Sequence, residues 1–237
     1  MTALGVDVAR WQNPAQLPLA AWVAAGLQVV VVQVTHGADP EQNAAGHLAA
    51  ALAARVPHVG AYHFLTPGNA RGQALAFLAA LDAAGGRYQF AVLDVEDPRD
   101  PAAPRISLAD VLFWIKTFTA GSQLPLLLYG NHSRLVPILE QAPELKGYPI
   151  WWSEYGPMAP HCQQPPYAAP HPPAGLRLAA WQWGGDNGEW LPYAGAIDRS
   201  TWYEIPGAPL MSADMRVLAD VAAQLSAAAD RLAGVLP

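Results

Sequence analysis

Phe90-Ala91-Val92-Leu93-Asp94-Val95-Glu96-Asp97-Pro98 is a run of strand-forming residues that ends in acids and is cut by proline. On a strand, residues i and i+2 point to one face, so Asp94 and Glu96 share a surface with their Cα atoms roughly 6.6 Å apart. Both carboxyl groups can then act on one bound molecule. Two carboxylates flanking one bond are what glycoside hydrolysis requires; the same pair would also suit a divalent cation. Asp97 falls on the opposite face and leads into Pro98, which fits a turn.

Working outward, a second acid closes the apolar segment Leu4-Gly5-Val6-Asp7-Val8, and a third closes Ala194-Gly195-Ala196-Ile197-Asp198. Three strand ends would bring their acids together if the strands were neighbours in a barrel whose site gathers at the carboxyl ends. Apolar runs of strand length recur near residues 3–8, 28–35, 58–64, 89–95, 124–129, 149–154, 177–183 and 195–198. Helical stretches near 16–26, 40–55, 69–84, 107–121 and 133–141 separate the first six, the alternation of β/α units around a largely parallel sheet. Ser107 is placed to cap the fourth helix with its hydroxyl. A chain of 237 residues, 52% hydrophobic, suffices for one α/β barrel.

Composition removes several function classes. A formal net charge of -6 with no Lys/Arg cluster lacks the basic footprint that nucleic acid demands, and no Gly-rich phosphate loop is present. Cys162 is the only cysteine, so no intrachain disulfide or thiolate zinc cluster can form. His63 reads as a satisfied interior histidine, and the other six histidines lack metal-ligand spacing. No metal or cofactor is implied. Met1-Thr2-Ala3-Leu4 opens directly into the first strand, so no signal peptide is expected, and no apolar run is long enough for membrane insertion.

The segments Gly5-Val6-Asp7-Val8 with Trp11-Gln12, Val59-Gly60-Ala61-Tyr62-His63-Phe64, Leu93-Asp94-Val95-Glu96, Trp181-Gln182-Trp183 and Ile197-Asp198 resemble, in order and spacing, the family 25 glycoside hydrolases, the Chalaropsis-type lysozymes. The resemblance implies a retaining N-acetylmuramidase acting on bacterial peptidoglycan, built on an irregular TIM-like β/α barrel. It implies Glu96 as the general acid, with Asp94, Asp7 and Asp198 as its negative surround and Asp94 or Asp198 as its partner. Sugar rings have apolar faces, which makes Tyr62, Tyr129, Trp151 and Trp181, at or near strand ends, the candidate substrate-binding aromatics. Where the family's second strand usually reads Lys-Ala-Thr-Glu-Gly, this chain has Gln33-Val34-Thr35-His36-Gly37. Losing a cation beside carboxylates should raise their pKa values and shift the pH optimum; Gln33 and His36 join the substrate-binding candidates.

An undecorated start fits a phage lysin released from the host cytoplasm to the cell wall, or a virion-associated enzyme. The stretch Gly156–Gly175 holds seven prolines and reads as a long extended loop that either walls the groove or is a solvated excursion. Met211, Met215, Leu218, Ala222, Leu225, Ala229, Leu232 and Leu236 alternate spacings of four and three, an amphipathic helix with Ser212 at its start. The chain thus divides into a catalytic barrel, 1–205, and an extra C-terminal helix, 206–237, which either docks on its own barrel or mediates contact with a homo-oligomer or virion partner. Two rival readings stay open: an attenuated glycan-binding module using the same groove, and a metal-dependent hydrolase with Asp7, Asp94 and Glu96 as ligands.

Overall fold

The first seven strands expected from the sequence form, at or close to their expected positions. The computed structural model describes residues 2–96, 102–155, 170–185 and 196–206. In chain order these give β1 (Ala3–Val8), α1 (Leu19–Ala24), β2 (Leu27–His36), β3 (Asp39–Pro40), α2 (Ala44–Ala53), β4 (His58–Phe64), α3 (Ala70–Ala83), β5 (Phe90–Asp94), α4 (Leu108–Gly121), β6 (Leu126–Gly130), α5 (His132–Gln141), β7 (Ile150–Ser153), β8 (Leu178–Gly184) and β9 (Asp198–Trp202). Strands β1, β2, β4, β5, β6, β7, β8 and β9 pair in that cyclic order, and β1 joins both β2 and β9, which closes an eight-stranded barrel. The two-residue β3 folds back on the end of β2.

β2 shows why the chain closes this way. It reads Leu-Gln-Val-Val-Val-Val-Gln-Val-Thr-His, and all of it except Gln28 and His36 is buried. A near-continuous β-branched run suits a strand covered on both faces, one turned into the barrel and one against helices. The larger apolar cluster lies in that outer layer, where Val30, Val32, Leu93 and Leu128 pack with Phe77, Trp114 and Phe118 of the helices. Ser107 caps α4 as expected: its Oγ accepts from Asp110 N at 3.1 Å and Asp110 Oδ2 accepts from Ser107 N at 2.9 Å, a reciprocal capping box. The first expected helix is shorter than its pattern, because Pro14 and Pro18 hold the chain in a 3-10 turn and an N-terminal boundary before Leu19.

The last strand runs differently from the expectation. Residues 195–198 were to form a strand ending in Asp198; instead Asp198 begins β9, which is antiparallel to both β1 and β8. An antiparallel strand starts where its parallel neighbours finish, so Asp198 still reaches the rim that carries Asp7 and Asp94. Among the described residues no helix separates β7 from β8 or β8 from β9, which makes the barrel irregular. The expected proline-rich loop falls largely on residues 156–169, and the C-terminal helix on residues 207–237; both lie outside the described residues, as does Asp97.

Below the rim the barrel is filled by large rings set against glycines. Phe90, Trp151 and Trp202 pack together with ring centroids 5.3 Å apart for Phe90–Trp202 and for Trp151–Trp202. A Cβ on Gly60 would lie 2.2 Å from the Phe90 ring, and one on Gly5 would lie 2.3 Å from Trp202 Nε1. The two glycines are the space that these rings occupy. Gly60→Ala should therefore cost about 1–3 kcal/mol in denaturant titration through overpacking. Gly147→Ala, where nothing lies within 4 Å of the new methyl, should change stability by less than about 0.5 kcal/mol.

Candidate active site

Strand parity delivers the site. Because alternate residues face the barrel interior, β1 sends in Asp7, β2 Gln33, β4 Tyr62, β5 Asp94, β6 Tyr129, β7 Trp151 and β8 Gln182, and all of them line one groove of about 760 Å³. Glu96 keeps the parity of β5 past its end. The chain there is still held by the Val95 N–H donating to Tyr129 O at 2.9 Å, so Asp94 and Glu96 both front the groove. Asp198 and His36 also line the groove, so the four acids expected to converge do so.

The carboxyl groups are strongly coupled. Asp7 and Asp198 sit opposite each other in the β1–β9 ladder, so each disfavours a charge on the other. Burial, then the charge of Asp198, pushes the Asp7 carboxyl well above the usual carboxylate range, against a hydrogen bond from Gln182 that pulls it down. Burial raises Asp94 in the same way, reinforced by Glu96, Asp7 and Asp198. Asp94 is 7% exposed, and its buried Oδ1 has no hydrogen-bond partner among the described residues. Such a group favours the neutral form or a cationic neighbour.

Gln182 organises the floor. Its Oε1 accepts from Tyr129 OH at 2.6 Å and Tyr155 OH at 2.9 Å, while its Nε2 donates to Asp7 Oδ2 at 2.9 Å. With two hydroxyl donors fixing the oxygen, the amide can only present its N–H to the carboxylate, which sets the orientation of Asp7. Sequence reasoning used Gln182 as part of a motif without giving it a role, because a glutamine carries no charge signature. Its position on the inner face of β8 was the available signal.

The aromatic candidates divide. Tyr62 lines the groove half-buried, whereas Tyr129 and Trp151 form its floor at 6% and 2% exposure, Trp151 Nε1 donating to Ser200 Oγ at 3.0 Å. Trp181 requires correction: it does not line the groove. It has the opposite parity to Gln182, packs in the outer layer and donates from Nε1 to Glu154 O at 2.8 Å. The rim aromatics that the sequence reading passed over are Trp11, 75% exposed, and Phe64, which stacks on His36 with centroids 4.5 Å apart. His63 faces away from the groove, between Thr35 Oγ1 at 2.6 Å and Gln73 Oε1 at 3.3 Å, and burial pushes its pKa down to about 3. Among the described residues no three His, Cys, Asp or Glu side chains converge in a metal-holding arrangement, and no helix is long and apolar enough to cross a membrane.

Comparison with known proteins agrees with this geometry. The fold is similar to the bacterial lysozyme from Streptomyces coelicolor, at 21% identity over 85% of this chain and 92% of that one, with a TM-score of 0.66. It is similar to the muramidase from Trichobolus zukalii, at 19% identity over 86% and 94% of the two chains, with a TM-score of 0.65. The catalytic domain of endolysin ply40 from bacteriophage P40 of Listeria monocytogenes matches at 16% identity over 85% and 93%, with a TM-score of 0.64. No curated protein matches the chain. These identities speak to the fold alone. The model of the glycosyl hydrolases family 25, in contrast, matches residues 6–189, a span that carries Asp7, Asp94, Glu96 and Gln182. The chain therefore belongs to glycosyl hydrolase family 25.

Proposed function

We propose that the chain is an N-acetylmuramidase that hydrolyses the β-1,4 bond between N-acetylmuramic acid and N-acetylglucosamine in bacterial peptidoglycan. The observation that supports this most is the convergence of Asp7, Asp94, Glu96 and Asp198 in one open, ring-lined groove, in a family 25 chain. Its volume, about 760 Å³, is that of a cleft for several sugar-sized groups.

In this reading Glu96 donates its proton to the leaving glycosidic oxygen. Asp94, two residues back on the same face, meets the positive charge that develops on the sugar ring, either by attacking the anomeric carbon or by holding the substrate's own acetamido group against it. Both routes retain configuration. The Asp7–Asp198 pair adds negative potential beside the proton donor. Gln182 holds Asp7 in place. We extend the proposal to setting and organisation: a phage lysin or virion-associated wall hydrolase, for which the fold likeness to a phage endolysin offers precedent. Its catalytic barrel would end near residue 205, just beyond β9, with the heptad-patterned segment after it as a separate docking or oligomerisation helix.

Glu96→Gln should lower the release of reducing ends from purified peptidoglycan by about 10²–10⁴-fold. The variant should still fold and bind glycan, and undiminished turnover would sink the assignment. The raised Asp94 carboxyl also makes a stability prediction. Between its ordinary pKa near 4 and its higher folded value, the native state holds a proton that the unfolded chain has lost, so its contribution to stability is full at low pH and disappears as pH rises. Buried His63 works in the opposite sense, since stability is lost as pH falls below the ordinary histidine value of 6.5. The clean measurement is a difference: calorimetric Tm of Asp94→Asn minus wild type should grow from pH 5 to pH 8. Finally, Gln33→Lys would place a cation among the acids and should move the pH–activity profile down by about one unit; an unmoved profile would show that Gln33 does not set it.

A further inference from the structure

Four acids, Asp7, Asp94, Glu96 and Asp198, line the groove, yet it carries one permanent cation. Arg10 is the sole arginine or lysine lining it among the described residues, in a chain of net charge -6. The loop that bears it is tied down on both sides. Ala9 N donates to Gln12 Oε1 at 2.8 Å and Gln12 Nε2 donates to Ala196 O at 3.0 Å. Asn43 Nδ2 donates to Arg10 O at 3.2 Å, and His47 Nε2 contacts Gln12 O at 2.9 Å. Arg10 and Trp11 are left at a rigid tip.

The guanidinium itself is half committed. Arg10 Nε donates to Glu41 Oε2 at 2.9 Å, with the Arg10 side chain 40% exposed and the Glu41 side chain fully buried. The terminal nitrogens have no hydrogen-bond partner among the described residues. A guanidinium held by one edge presents its other edge, two parallel N–H donors, with the geometry that a carboxylate matches. Glu41 thus orients the fork without using it up. Next to it, His36 stacks on Phe64, and burial and the charge of Arg10 lower its pKa against the opposing charges of Glu41 and Asp39. Trp11, next in sequence and 75% exposed, lines the same groove and offers an apolar face for a sugar ring.

We infer that Arg10, oriented by Glu41 and flanked by Trp11, forms a subsite that recognises a carboxylate borne by the glycan. The inference rests on the muramidase reading and deepens it: such a subsite selects strands whose sugars carry anionic substituents over neutral chitin-like chains. On peptidoglycan that carboxylate has two sources, the lactyl group of muramic acid where its peptide is removed, and the acidic residues of the peptide stem.

The test uses the full chain and three substrates: neutral N-acetylglucosamine oligomers, peptide-free glycan strands with free lactyl carboxylates, and stem-bearing strands. Arg10→Gln should raise KM for carboxylated strands about tenfold, leave kcat unchanged and leave neutral oligomers unaffected. Arg10→Lys should recover part of the loss, and added salt should narrow the difference. Because Arg10→Gln strands a buried carboxylate, Arg10→Gln with Glu41→Gln serves as the folded control and should show the same KM rise with its Tm restored. A penalty already present on peptide-free strands assigns the lactyl carboxylate; one confined to stem-bearing strands assigns the stem. Equal loss on neutral oligomers, or none on any substrate, overturns the subsite. Wild type that releases no reducing ends from any glycan refutes the muramidase reading instead. Calorimetric titration of the same glycans into the Glu96→Gln background, with and without Arg10→Gln, would then still decide whether Arg10 binds the carboxylate.

Discussion

The junction of β1 with β9 carries more of this molecule than its length suggests. There the one antiparallel strand closes the barrel, and the same ladder sets Asp7 opposite Asp198, whose charge helps to raise the Asp7 carboxyl. Had the final strand run parallel to β1, its first residue would lie at the far end of the barrel from Asp94 and Glu96. Closure of the sheet and completion of the acidic cluster are therefore one event. Crowding and burial raise Asp7 and Asp94, and the Gln182 amide, whose oxygen is satisfied by Tyr129 and Tyr155, opposes this at Asp7.

That cluster stands on a floor that cannot shift. Trp151, Trp202 and Phe90 fill the barrel under the groove, and Gly5 and Gly60 provide the room. A close-packed interior transmits small displacements rather than absorbing them, so the spacing of the strand ends above follows from the rings below. The groove then has acids at its centre and, at one rim, Arg10 held by Glu41, the one arginine or lysine lining it among the described residues. Charge of both signs in one cleft suits a substrate that becomes cationic where it is cut and is anionic where it is gripped.

How far the site was legible depends on the kind of signal each residue carries. Asp94 and Glu96 announced themselves because strand parity is local: two residues apart on an apolar run must share a face. Asp7 and Asp198 needed only the further step that strand ends gather on one rim. Trp181 misled because its neighbour Gln182 is the inward residue; a motif places a segment, and parity decides which member of it faces the ligand. Trp11 and Arg10 were passed over because a loop has no period from which a direction can be read.

Sequence by itself determined the alternation of strands and helices, the family, and the four acids, since each follows from local period or from a motif in register. Tertiary structure alone decided the direction of β9, the hub at Gln182, the burial that raises Asp7 and Asp94, and the Arg10–Glu41 pair. These depend on contacts between residues 27 to 199 positions apart, and desolvation and hydrogen-bond geometry exist only once such distant segments have met.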